Sequence, residues 1–76
     1  MTNEFLEFKK EMVTKLPYKL SNGLTWKMEY IPANEYGGEY YDFHEYDGNK
    51  SYSGFSCPDF KSFKDTMLLW VSDYLN

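Results

Sequence analysis

Apolar residues along the first sixteen positions recur with a helical period. At about 100° per residue, Phe5, Leu6, Phe8, Met12, Val13 and Leu16 fall within an arc of about 160°. This predicts an amphipathic helix over residues 4–16. Asn3 stands where an N-cap side chain accepts a backbone N–H, and Glu4 and Glu7 lie in the first turn, where the helix dipole favours carboxylates. Lys15 suits the last turn, and Pro17 disfavours continuation.

The period then shortens to two. After the turn signal Ser21-Asn22-Gly23, Leu24–Ile31 alternates, with Leu24, Trp26, Met28 and Tyr30 on one face and Thr25, Lys27 and Glu29 on the other. A strand is predicted there, and Pro32–Gly38 reads as a loop. Residues 39–56 read as a hairpin, because Asp47-Gly48 suits a two-residue type I′ turn between two aromatic-rich runs. That turn puts Glu45 opposite Lys50, Phe43 opposite Tyr52 and Tyr41 opposite Gly54. A turn at Gly48-Asn49 would lose the first two pairs, each worth about 0.2–1 kcal/mol, so the first register is expected.

A second amphipathic helix is predicted from about Pro58 to Leu75. Phe60, Phe63, Met67, Trp70, Val71, Tyr74 and Leu75 fill an arc of about 140°. Ser56 and Asp59 have capping-box spacing, and Pro58 is tolerated in a first turn. The order α-β-β-β-α implies a small two-layer α+β domain spanning residues 1–76, a three-stranded antiparallel sheet packed by N- and C-terminal helices. Trp26 and Trp70 both fall on apolar faces and are expected in the core.

Length and composition narrow the functions open to such a domain. A chain of 76 residues buries only about 60% of the surface it exposes when unfolded, leaving little room for a deep substrate cavity. Aromatic residues make up 21% of the chain, and the net charge is −4 with all eight basic residues Lys. Without Arg, the usual fork for phosphate and guanine, direct nucleic-acid binding is disfavoured. Phe, Tyr, Met, Ile, Asn and Lys total 32 residues against nine of Gly, Ala, Arg and Pro, a bias expected of an A/T-rich host or its mobile elements. The single Cys57 excludes an internal disulfide, Glu4, Glu7 and Glu11 break up any signal-like apolar run, and no segment approaches the about 20 apolar residues of a membrane span. The chain reads as soluble and cytoplasmic.

The charge is unevenly distributed. Residues 1–27 carry +2 and residues 50–76 carry zero, while Met28–Asn49 carries −6 with no Lys. Such a segment serves either as a solvated or protected strand edge or as a face presented to a basic partner. An EF-hand with Gly48 at its sixth position would need carboxylates where Phe43 and Gly54 stand, so that motif fails. No zinc ligand spacing or phosphate-binding glycine loop occurs. In the expected register His44 faces Ser51, about 20 Å along the strand from Cys57, so no Cys–His dyad forms. No metal, cofactor or catalysis is expected.

In that register Tyr41, Phe43 and Tyr52 face the helices, and Tyr40, Tyr46 and Phe55 face away, beside Asp42 and His44. Exposed rings there would suit a protein interface, and Leu69, on the polar side of the second helix, hints at a further contact. The expected partner-binding residues are therefore Glu35, Glu39, Tyr40, Asp42, His44, Glu45, Tyr46 and Asp47. In size, acidity and layout the chain is similar to phage-encoded anti-CRISPR and anti-restriction proteins, which implies a small inhibitor occupying the basic nucleic-acid groove of another protein. An immunity or antitoxin-type partner of a toxin enzyme, or an accessory homo-oligomeric subunit, fits the same features.

Overall fold

The computed structural model describes residues 3–75. Its elements are α1 (Asn3–Lys15), β1 (Thr25–Ile31), β2 (Tyr40–Asp47), β3 (Lys50–Cys57) and α2 (Phe60–Leu75), the predicted α-β-β-β-α order. The strands form one antiparallel sheet in the order β1-β2-β3. Both helices lie on the same side of it. Phe5, Phe8 and Met12 of α1 and Phe63, Met67 and Val71 of α2 close a core against Trp26, Met28, Tyr41 and Phe43. Among the described residues, none forms a layer over the opposite side of the sheet.

Each predicted apolar arc is wider than the stripe that is buried. Leu6, Val13 and Leu75 are exposed, and Trp70 is only half-buried, its ring stacked on Tyr74 and 4.7 Å from that of Phe43. The reason is width. Three strands spaced about 4.8 Å apart span about 10 Å between the outer two, whereas packed helix axes stand 8–10 Å apart. Two helices therefore overhang the sheet, and their outer flanks meet water. Trp26 is buried as expected, and its Nε1 donates to the Pro17 carbonyl at 2.8 Å.

The hairpin register differs from the predicted one. The turn falls at Gly48-Asn49, with Asp47 opposite Lys50 and Tyr46 opposite Ser51. Gly48 takes φ 66° and Asn49 stays negative, the signs of a type II′ turn, in which only the first central residue needs the left-handed region. A bulge at Tyr52 then shifts the pairing, setting Glu45 opposite Ser53, His44 opposite Gly54 and Phe43 opposite Phe55. Glu45 therefore does not pair with Lys50, and Phe43 does not pair with Tyr52. Phe55, expected outside, packs on the core side with its ring 5.4 Å from Phe43 and 5.6 Å from Phe63. Tyr52, expected inside, is 69% exposed. One extra residue restores an aromatic to the inner face, which outweighs the surface ion pair favouring the other register.

The caps also move. Asp59, not Ser56, caps α2: its carboxylate accepts the Ser62 N–H at 2.8 Å and the Ser62 hydroxyl at 3.1 Å. Asn3 is already helical, so the cap of α1 lies outside the described residues.

Candidate functional site

The open face of the sheet is a grid of two alternating strands and a thinner third. Thr25, Lys27, Glu29 and Ile31 of β1 stand opposite Tyr46, His44, Asp42 and Tyr40 of β2. On β3, Ser51, Gly54 and Ser56 complete the rows of Tyr46, His44 and Asp42. The His44 Nδ1 is 2.7 Å from Asp42 Oδ2, and the Lys27 Nζ lies over the Tyr46 ring at 5.3 Å. The imidazole also lies across Gly54, where a Cβ would come within 2.8 Å of His44 Cα and Cδ2 and still closer to the Phe43 carbonyl. Glycine is thus what lets β2 and the His44 side chain come this close to the third strand.

Glu29 and Asp42 are direct cross-strand neighbours on this face. Like charges so placed destabilise a sheet by a few tenths of a kcal/mol, and among the described residues only His44 bonds to either carboxylate. Around the face, Glu35 and Glu39 are exposed in the loop leading to β2, and Asp47 is exposed at the hairpin end. Glu39 Oε2 accepts a hydrogen bond from the Tyr30 hydroxyl at 2.6 Å. That bond, then burial and the carboxylate's charge, raises the Tyr30 pKa above its ordinary 10.0.

Of the eight residues expected at the interface, Tyr40, Asp42, His44 and Tyr46 share the open face; Glu35 and Glu39 before β2 and Asp47 at its end are exposed, with Glu39 turned to Tyr30 and Asp47 sharing the parity of Glu45. Glu45 does not belong to either group. It is 7% exposed on the core side, where Oε2 accepts from Asn22 Nδ2 at 3.2 Å and Oε1 from the Ser53 hydroxyl at 3.1 Å. The same Asn22 accepts the Leu24 N–H at 3.0 Å and so shapes the turn before β1. Its role is structural. Glu29 and Lys27, left out of the expected site, belong to the face; their alternation with Trp26 and Met28 was the signal that assigns them there.

Among the described residues, none of Glu29, Glu35, Glu39, Asp42 and Asp47 pairs with a lysine, whereas Glu7 and Glu11 of α1 pair with Lys10 and Lys15. His44 and Cys57 do lie apart, though not for the expected reason. They are three positions apart in the register, on opposite faces, and Cys57 Sγ approaches the Thr66 hydroxyl at 4.0 Å instead. Among the described residues no group of three His, Cys, Asp or Glu side chains comes together as a metal site, and no helix is long and apolar enough to cross a membrane. No family model, curated protein or solved structure matches the chain.

Proposed function

We propose that this protein is a non-enzymatic binding module, an inhibitor of the phage or mobile-element kind, whose open sheet face lies on the basic nucleic-acid-binding groove of another protein. The observation that carries this reading is the pair of carboxylates Glu29 and Asp42 on the open sheet face, with Glu35, Glu39 and Asp47 exposed at the ends of β2 and none of the five in an ion pair with a lysine among the described residues. The carboxylates outnumber the one lysine there, Lys27, and a net excess of one sign speeds encounter with a surface of the other sign and fixes its orientation. Glu29 and Asp42 add a local cause. Their mutual repulsion is relieved when a Lys or Arg side chain approaches both, so a cationic partner gains what the isolated fold forgoes. Tyr40 and Tyr46 supply rigid contact area beside them at small cost in conformational entropy.

The test is charge neutralisation confined to carboxylates that are not buried. Glu29→Gln, Glu35→Gln, Asp42→Asn and Asp47→Asn together spare Glu45 and Glu39, which hold Asn22 and Tyr30, so circular dichroism should remain native. An affinity column of the wild-type protein should retain, from a host extract, a basic protein that duplex DNA or high salt displaces. The neutralised column should bind that protein more slowly and with a shallower salt dependence. Equal affinity, on-rate and salt slope on the two columns would overturn the proposal.

A further inference from the structure

The geometry points to Tyr36 as the anchor of this interface, its ring seated in an apolar pocket beside the cationic side chains of the basic partner. The inference rests on the partner proposed above and adds to it the residue that supplies most of the grip. Tyr36 is 90% exposed, more than any other large apolar side chain of the described residues. Among the described residues its ring stacks on no other ring and its hydroxyl meets no partner. Exposure of an aromatic ring in an isolated fold is ordinary when the segment is loose. This segment is tied. Asn34 and Gly37 exchange backbone hydrogen bonds at 2.9 and 3.3 Å, and the Asn34 side chain accepts the Tyr36 N–H at 2.8 Å. Neither Glu35 nor Tyr36 sits at positive φ, so the turn is held without strain. The chain has thus already lost the backbone freedom that binding would otherwise remove, which is how a preorganised contact raises affinity.

Position and charge indicate what the ring meets. The turn connects Ile31 to Tyr40, paired neighbours at one end of the sheet, so Tyr36 stands at the end where the open face closes. Glu35 is its immediate neighbour and Glu39 follows, both exposed, and no Lys occurs between Met28 and Asn49. A ring presented between carboxylates fits an apolar hollow rimmed by Lys or Arg. The other highly exposed apolar residues lack this setting: Val13, Tyr18, Leu69 and Leu75 belong to the helical side, and Tyr52 sits on the bulge of the edge strand. Tyrosine is also among the residues that dominate interface energetics when truncated.

The experiment uses the full chain and two probes, the DNA-displaceable protein retained by the wild-type column and poly-lysine, a polycation with no pocket. Tyr36→Ala should weaken binding of the retained protein by about 30-fold or more, through a faster off-rate and with an unchanged salt slope. Tyr36→Phe should stay close to wild type, because the ring and not the hydroxyl is the anchor. Poly-lysine should bind wild type and Tyr36→Ala alike. Equal affinity of Tyr36→Ala and wild type for the retained protein overturns the anchor while the acidic-face proposal stands. A wild-type column that retains nothing displaceable by DNA overturns that proposal and the anchor with it.

Discussion

The sharpest test of the packing described above is a pair of truncations in β3, because two registers assign opposite roles to Tyr52 and Phe55. In the bulged register Phe55 packs its ring against Phe43 and Phe63, at 5.4 and 5.6 Å, and Tyr52 is 69% exposed. Truncating a fully buried Phe to Ala costs about 3–5 kcal/mol, and a half-buried one that loses two ring contacts should cost about 2–3 kcal/mol. Tyr52→Ala, at an exposed position, should stay within about 0.5 kcal/mol. A domain of this size holds only about 4–11 kcal/mol in total at 0.05–0.15 kcal/mol per residue, so the difference is large. In urea, with a slope of about 1 kcal/mol/M, Phe55→Ala should lower the midpoint by about 2 M, followed by tryptophan fluorescence. Thermal unfolding should fall by about 8–24 °C, at about 4–8 °C per kcal/mol. If Tyr52→Ala costs as much as Phe55→Ala or more, the bulge is wrong and the simple Asp47-Gly48 turn is right.

Two further outcomes follow from single contacts. Gly54→Ala forces a methyl group against the Phe43 carbonyl and the His44 ring, and should cost about 1–3 kcal/mol in the same urea assay; a neutral or stabilising result would show that β3 is not held so close to β2. Tyr30 favours its neutral phenol in the fold because Glu39 accepts its proton in a hydrogen bond, so the contribution to stability is complete below pH 10 and is lost as pH rises through the raised folded value. Ultraviolet titration should therefore show a late-ionising tyrosine signal that moves to lower pH in Glu39→Gln; identical titrations in the two proteins would contradict the bond.

Much of the fold was legible in the chain because it is written in local periodicity. The 3.6-residue spacing of Phe5, Phe8, Met12 and Leu16, and of Phe63, Met67 and Val71, specifies two helices and the stripes they bury. The alternation of Trp26 and Met28 with Lys27 and Glu29 specifies a strand and both of its faces. Even the inward direction of Glu45 was implied there, since it shares parity with Tyr41 and Phe43 and must share their side of the sheet. The acidic stretch from Met28 to Asn49 and the absence of Arg likewise needed no coordinates.

Tertiary structure decided what depends on residues distant in sequence. Whether the hairpin turns at Gly48 or Asp47 is nearly balanced locally; the choice came from Phe55, which gains the Phe43 and Phe63 rings only through a bulge at Tyr52. Glu45 became a buried structural acceptor because Asn22, on the turn before β1, arrives beside Ser53. The pairing of Glu29 with Asp42 likewise required β1 to lie against β2 in one particular register. Both helices settled on a single side, leaving the other open, because the two apolar stripes bury more surface against each other and the sheet than either would alone. Local pattern sets which way each side chain points, while the contacts it finds are a property of the whole assembled chain.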